Sequence, residues 1–394
     1  MRYLLVLMLL VALAPATSAE VRGYAAIEAR GYLDDADFGQ ENEQYSFVFE
    51  PEYFFEGESS LFTAQIFIRE DSLDDERTHA DLRELSWLYY SDDWELRLGI
   101  SKVFWGVAES QHLVDIINQT DAVENVDGED KLGQPMINLT LIRDWGNLDL
   151  FVLPYFRERT FTGVEGRFRA PFPIDDSLTS YASSDEERHI DTAIRWSSTL
   201  GDWDIGIGHF SGTSREPRFI PNLQNNQLVL APHYTTIDQT SLDLQATIES
   251  WLWKLELISN SGFDVDRYTA AVFGFEYSFY DIAESGIDLG WILEYQFDDR
   301  KVDYAGIPLL DSLVIGSRIA WNDEQSTELL IGAGLNELDN IFWNIEASRR
   351  IGDSWKLTVE ARILTGIEDS QEFESPLFAV RNDSFIQVEM AYYF

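Results

Sequence analysis

The sequence predicts an all-β chain: a transmembrane, antiparallel, up-and-down β-barrel of about 18 strands, within a range of 16–20. Three observations predict it. The chain ends on an alternating segment, Phe385 to Phe394, in which Ile386, Val388, Met390, Tyr392 and Phe394 share one face and Gln387, Glu389 and Ala391 the other. The same period-2 grammar recurs throughout the chain, with no helical 3.6-residue pattern. The connections between these segments alternate short and long, as they do in barrels with tight turns at one end and loops at the other.

Taken from the start, residues 1–19 read as a cleaved secretory signal. Arg2 supplies the charge, Leu4 to Ala14 an apolar run too short to span a bilayer as a helix, and Thr17-Ser18-Ala19 a small-residue cleavage site. The remaining 20–394 read as one barrel, with no Pro/Gly/Ser linker to divide it. Strands are expected near 23–33, 43–55, 60–70, 80–91, 94–104, 134–143, 147–156, 188–199, 203–213, 236–249, 251–261, 267–280, 286–297, 310–322, 326–336, 340–350, 355–364 and 384–394. Many of these are near the ~9–11 residues a tilted strand needs to cross hydrocarbon. Faces are explicit in several of them. Trp355, Leu357, Val359, Ala361 and Ile363 alternate with Lys356, Thr358, Glu360 and Arg362. The connections at 105–133, 157–187, 214–235, 298–309 and 365–383 are long and fall at one end.

The short turns carry a repeated phrase, a polar turn followed by a Trp that opens the next strand: Asp93-Trp94, Asp144-Trp145, Asp202-Trp203, Ser250-Trp251 and Ser354-Trp355. Trp favours the membrane interface, where its ring is half buried and its N–H stays wet. Trp94, Trp145, Trp203, Trp251, Trp355 and Phe394 are therefore expected to form an interfacial girdle, against outer-membrane lipid. The C-terminal strand is the segment expected to engage the barrel-assembly machinery.

Composition limits the function. The formal charge is −42, with 28 Lys and Arg against 70 Asp and Glu, and removal of Arg2 makes it one unit more negative. Nucleic-acid binding needs clustered cations and is excluded on that balance. The chain has no Cys, which excludes a disulfide framework and thiol chemistry. No zinc or nucleotide motif is present.

The segment 105–133 is the most distinctive. It is the third connection on the long side and carries Glu109, His112, Asp115, Asp121, Glu124, Asp127, Glu129 and Asp130, opposed only by Lys131. Val114, Ile116 and Ile117 are out of place in a solvated loop, which points to packing against the barrel wall. The expectation is an acidic constriction; a solvated surface loop is the plainer alternative. No cofactor is expected. Structural Ca²⁺ is the one metal considered, because several carboxylates converge here, although Val126-Asp-Gly-Glu-Asp lacks the repeated Asp spacing of a calcium loop. Arg97, Lys102, Arg157, Arg159, Arg195, Lys356 and Arg362 are candidates for a basic ladder facing that loop, with Glu360 beside them; the alternative is lumenal ion pairs that stiffen the wall.

Arg97-Leu-Gly99, Trp105-Gly106, Asn118 and Asp121 together resemble a pattern of several porin-like outer-membrane families, including poorly characterised ones and the alginate-export type. In those families an Arg-Leu-Gly strand precedes Trp-Gly and an Asn-Pro-x-Asp-like element; this chain has Gln119 at the Pro position. The resemblance implies passive or substrate-selective diffusion of small hydrophilic solutes across the outer membrane.

Two other readings are carried forward. His209 and Ser211 share the apolar face of their strand and are similar to the His-x-Ser of outer-membrane phospholipases, although Gly212 replaces the Asn that follows Ser there. A non-conducting structural or adhesion barrel is the third. The expected function is a porin-like channel that prefers cations or neutral solutes.

Overall fold

The structure, a computed structural model, describes residues 19–262, 267–300, 311–372, 375 and 377–394. The predicted signal therefore lies almost wholly outside the described residues, as does most of the 298–309 connection. Eighteen strands, from Ala19–Tyr32 to Phe385–Tyr393, form a single sheet. The first and last strands pair antiparallel from Tyr24↔Tyr393 to Tyr32↔Phe385, so the sheet has no free edge. Every barrel pairing is antiparallel between strands adjacent in the barrel, and all eighteen predicted strands are present. Closure satisfies the backbone groups that lipid cannot, which is why a sheet that spans a bilayer must close.

The pleat sorts the side chains. Ile27, Phe273, Trp291 and Ile315 are half or more exposed on the outer wall. Inward neighbours such as Glu28, Lys254, Glu256 and Glu294 are buried inside. In the last strand Ile386, Val388, Tyr392 and Phe394 face out, and Phe385, Gln387 and Ala391 face in. An apolar exterior around a polar interior inverts the arrangement of a soluble protein. This is the architecture of a membrane-spanning β-barrel of the outer-membrane type.

The short-turn end carries an aromatic belt. Trp94 lies 5.5 Å from Tyr89 between ring centroids, Trp251 4.6 Å from Tyr277, and Trp355 5.0 Å from Tyr392. Trp145, Trp203 and Phe394 are exposed at the same end.

Some strand ends differ from expectation on the loop side. The strand predicted over 94–104 is Trp94–Ser101, because Val103 gives its N–H to Asn118 Oδ1 (2.8 Å) as the chain turns into the lumen. The strand predicted over 147–156 is Gly146–Leu153; Phe156 turns its N–H to the Glu187 carbonyl (2.7 Å). The 214–235 connection is not irregular. It contains the hairpin Arg218–Gln224 and Gln227–Tyr234, which joins Ser180–Tyr181 in a three-stranded sheet apart from the barrel.

Candidate functional site: a lumenal loop

The 105–133 segment folds into the barrel and is held there by its backbone. Glu256, wholly buried on the wall, accepts the N–H groups of Val107 (2.7 Å) and Ala108 (2.9 Å) at Oε1 and of Val114 (3.1 Å) at Oε2. Glu294 accepts Glu109 N and Ser110 N at 2.8 Å each, and the Ser110 hydroxyl at 2.6 Å. These loop N–H groups have no ladder partner, and a buried carboxylate offers up to four acceptor sites. Each partner therefore satisfies the other.

Apolar packing completes the docking. Trp105, Val114, Ile116 and Ile117 are buried against Met136, Phe151, Phe210, Ile258 and Ala270 of the wall. From the loop side Arg215 is buried between Phe210 and Phe156, donates to the Ile117 carbonyl (2.9 Å) and pairs with Asp191 (2.8 Å).

The family-like residues prove to be the loop's framework. Asn118 bonds Val103 N and the carbonyls of Ser101 (2.9 Å) and Leu132 (2.8 Å), closing the loop at its base. Gly106 lies against the His112 ring, where an added Cβ would come within 2.4 Å of Nδ1. Asp115 accepts the N–H groups of Trp105 (2.6 Å) and Gly106 (3.0 Å).

The second half of the loop is anchored by charge. Asp121 meets Arg83 at 2.6 Å, and Glu124 meets Arg69 at 2.7 Å. Arg69 also pairs with Glu28 (2.6 Å), and Arg77 with Asp71 (2.8 Å) while donating to the Val123 carbonyl (2.9 Å). Asp127 pairs with Arg362 (3.0 Å), which also holds Glu346 and Glu360 at 2.8 Å, and Asn125 donates to Glu360 (3.0 Å). Near the start of the loop, Glu109 pairs with Arg318 (2.6 Å) and Lys254 (3.5 Å).

His112 bridges Glu129 (3.1 Å) and Glu256 (3.7 Å). The Glu129 and Glu256 carboxylates beside it, opposed by burial, push its pKa up to about 10. Burial pushes the Asp121 carboxyl up, but His79 and Arg83 beside it outweigh that and hold it down at about 2.

Of the basic residues expected to face the loop, Arg362 makes the direct ion pair. Lys102 shares a cavity of about 210 Å³ with Arg30, Arg69, Arg83, Glu124 and Asp130. Arg157 and Arg159 belong to the following loop rather than the wall: Arg157 pairs with Asp81 (2.6 Å), and Arg159 lines a separate cavity of about 450 Å³. Arg195 pairs with Asp243 across the wall (2.8 Å) and lies over the Trp105 ring. Arg97 lies 3.5 Å from Ser101 Oγ, and Lys356 is opposite Arg350 on the next strand. The contacts that matter most, from Arg69, Arg77, Arg83, Glu256, Glu294 and Arg318, were not anticipated. Inward acidic residues in a strand, such as Glu256, were the available signal.

His79, Asp121 and Glu124 place ligand-type atoms within 4.8 Å of one another, but Arg83 and Arg69 already neutralise the two carboxylates. At the loop tip Asp127 and Glu129 turn to different cations, Arg362 and His112. His209 and Ser211 are exposed on the lipid face, and His209 Nδ1 is 3.0 Å from the Thr240 hydroxyl.

No family model matches this sequence, and no curated protein matches it. Among solved structures the chain is similar to OmpT, an outer membrane protein of Vibrio cholerae, at 10% identity and TM-score 0.49 over 96% of this chain and 99% of that one. It is similar to a mutant of the Rh. blastica porin at 10% identity and TM-score 0.48, over 96% of this chain and 100% of that one. It is similar to OprB of Pseudomonas putida at 10% identity and TM-score 0.46, over 95% of this chain and 94% of that one. At these levels of likeness the site is read from its own geometry.

Proposed function

We propose that this protein is a diffusion channel for small hydrophilic solutes, narrowed by its own 105–133 segment and preferring cations. One observation carries the reading. A loop bound across the interior by Glu256, Glu294, Arg69, Arg83 and Arg362 covers part of the inner wall and leaves part of it solvent-accessible. A barrel of this strand number has room for such a loop and an aqueous path beside it. The preference for cations rests on the loop's run of carboxylates, of which the consecutive Glu129 and Asp130 are exposed while Asp127 is held by Arg362. Carboxylates facing an aqueous path favour cation passage. A hydrolytic role is not favoured, since the His209 ring is engaged by Thr240 on the lipid-facing wall.

The test is conductance of the refolded protein in a planar bilayer under a KCl gradient. Ohmic steps with a reversal potential of the cation-selective sign support the reading. A folded barrel that passes no current overturns it.

A further inference from the structure

Inner-wall coverage is uneven around the barrel. On Trp251–Ser261 and Asp288–Asp298 the inward residues Lys254, Glu256, Ile258, Asn260, Ile292, Glu294 and Gln296 are all buried beneath the loop or the chain around it. On the next three strands, Ser312–Ala320, Glu328–Asn336 and Ile341–Ile351, no inward residue is buried among those described. Directly opposed residues of antiparallel strands share a face. The register Arg318↔Leu330↔Glu346 therefore runs along the interior, and Leu313, Ile315 and Leu335 face lipid. The Arg318 and Glu346 side chains are 40% and 42% accessible, whereas Arg362 next to them is 1% accessible.

Among the described residues, the loop's ion pairs reach this arc at its two borders. Glu109 meets Arg318 on one side and Asp127 meets Arg362 on the other. Between the borders, among the described residues, Gly316 opposes Gly332, with Gly334 one inward position on, and a Cβ at Gly332 or Gly334 would meet nothing closer than 3.6 Å. Glycine weakens a strand interior, so three side-chain-free inward positions on adjacent strands mark a place where space is kept.

We infer that solutes cross this barrel off its axis, in a lane between the 105–133 loop and the inner face of the three strands from Ser312 to Ile351, and that Arg318 and Glu346 are the wall charges that adjust the loop's selectivity there. The inference rests on the channel reading. Ladder bonds occupy the backbone of the glycine wall, so it offers a passing solute no hydrogen bonds. Discrimination falls to the accessible charged side chains nearest the glycines in the register, Arg318 and Glu346. Glu346, partly neutralised by Arg362, favours cations from one bank, and Arg318, partly neutralised by Glu109, opposes them from the other. Replacing Arg318 strengthens cation preference, and replacing Glu346 weakens it.

The natural chain has no Cys, so single-cysteine variants have a clean background. Gly332→Cys and Glu346→Cys are exposed to an anionic methanethiosulfonate reagent while single channels are recorded. Ala270→Cys, beneath the loop, is the buried control, and Glu389→Cys faces the cavity beyond it. A heat-modifiable band on gels confirms that each variant folds. The expected result is a stepwise loss of conductance for Gly332→Cys and Glu346→Cys, with Glu389→Cys and Ala270→Cys inert. Block at Glu389→Cys, with or without block at Gly332→Cys, overturns the lane. So does an inert Gly332→Cys in a conducting barrel. Without cysteines, Arg318→Gln should move the reversal potential toward the cation limit and Glu346→Gln away from it; no movement in either overturns the assignment. A folded natural chain that passes no current removes the channel reading itself, and is distinguishable from all of these.

Discussion

Asp127, near the tip of the lumenal loop, lies 3.0 Å from Arg362, a residue 235 positions further along the chain. Arg362 is almost fully buried, and Glu346 and Glu360 share the same guanidinium nitrogen. The loop tip is thereby fastened to a wall strand close to the closure of the barrel. Asp127→Asn removes the loop's half of that pair. It should release the tip and give larger, noisier conductance steps, while the fold survives because Arg362 keeps two carboxylates. Single-channel recording with a gel-shift control for folding checks it.

Arg362→Ala is the harsher change. It leaves Glu360 inward with its main cation gone, and breaking a buried pair from one side costs roughly 3–5 kcal/mol. The urea midpoint of unfolding should fall well below that of Asp127→Asn.

Glu256→Ala removes the acceptor of three loop N–H groups, at Val107, Ala108 and Val114. Each buried donor left unsatisfied costs about 1–3 kcal/mol. The loop should leave the wall, raising conductance and opening the 105–133 segment to protease in micelles. Deleting 107–131 should raise conductance further; an unchanged value would mean the loop does not narrow the path.

The loop should also respond to pH. The His112 pKa is raised to about 10, so its contribution is complete below the ordinary histidine value and is lost as pH rises through about 10. Asp121 is held at about 2, so its contribution is present above the ordinary carboxylate value and is lost as pH falls through about 2. Between those limits both anchors hold. Conductance should step up on alkaline titration near pH 10, and His112→Gln should abolish that step.

On the outer wall, Ile315→Arg places a charge in hydrocarbon, at about 2–4 kcal/mol near mid-membrane. It should lower folding efficiency into vesicles. His209→Ala, on the same outer wall, should leave conductance unchanged; loss of a lipid-hydrolysing activity in that variant would overturn the channel reading.

The sequence by itself determined the barrel. Strand number, inward and outward faces, the Trp-led turns and the end that carries the loops all follow from period-2 patterning, because a side chain's face depends only on its parity along its own strand. The same logic exposed Val114, Ile116 and Ile117 as misplaced for a surface loop. Tertiary structure alone decided what the loop touches. Parity marks Glu256, Arg318 and Arg362 as inward, but not which strand lies across the lumen or at what height. That depends on the register of all eighteen pairings and on closure between Tyr24–Tyr32 and Phe385–Tyr393. For this reason Arg97, Arg157 and Arg195 could not be separated from Arg362 in advance, and the uncovered arc around Gly332 became visible only once the loop had a position against the wall.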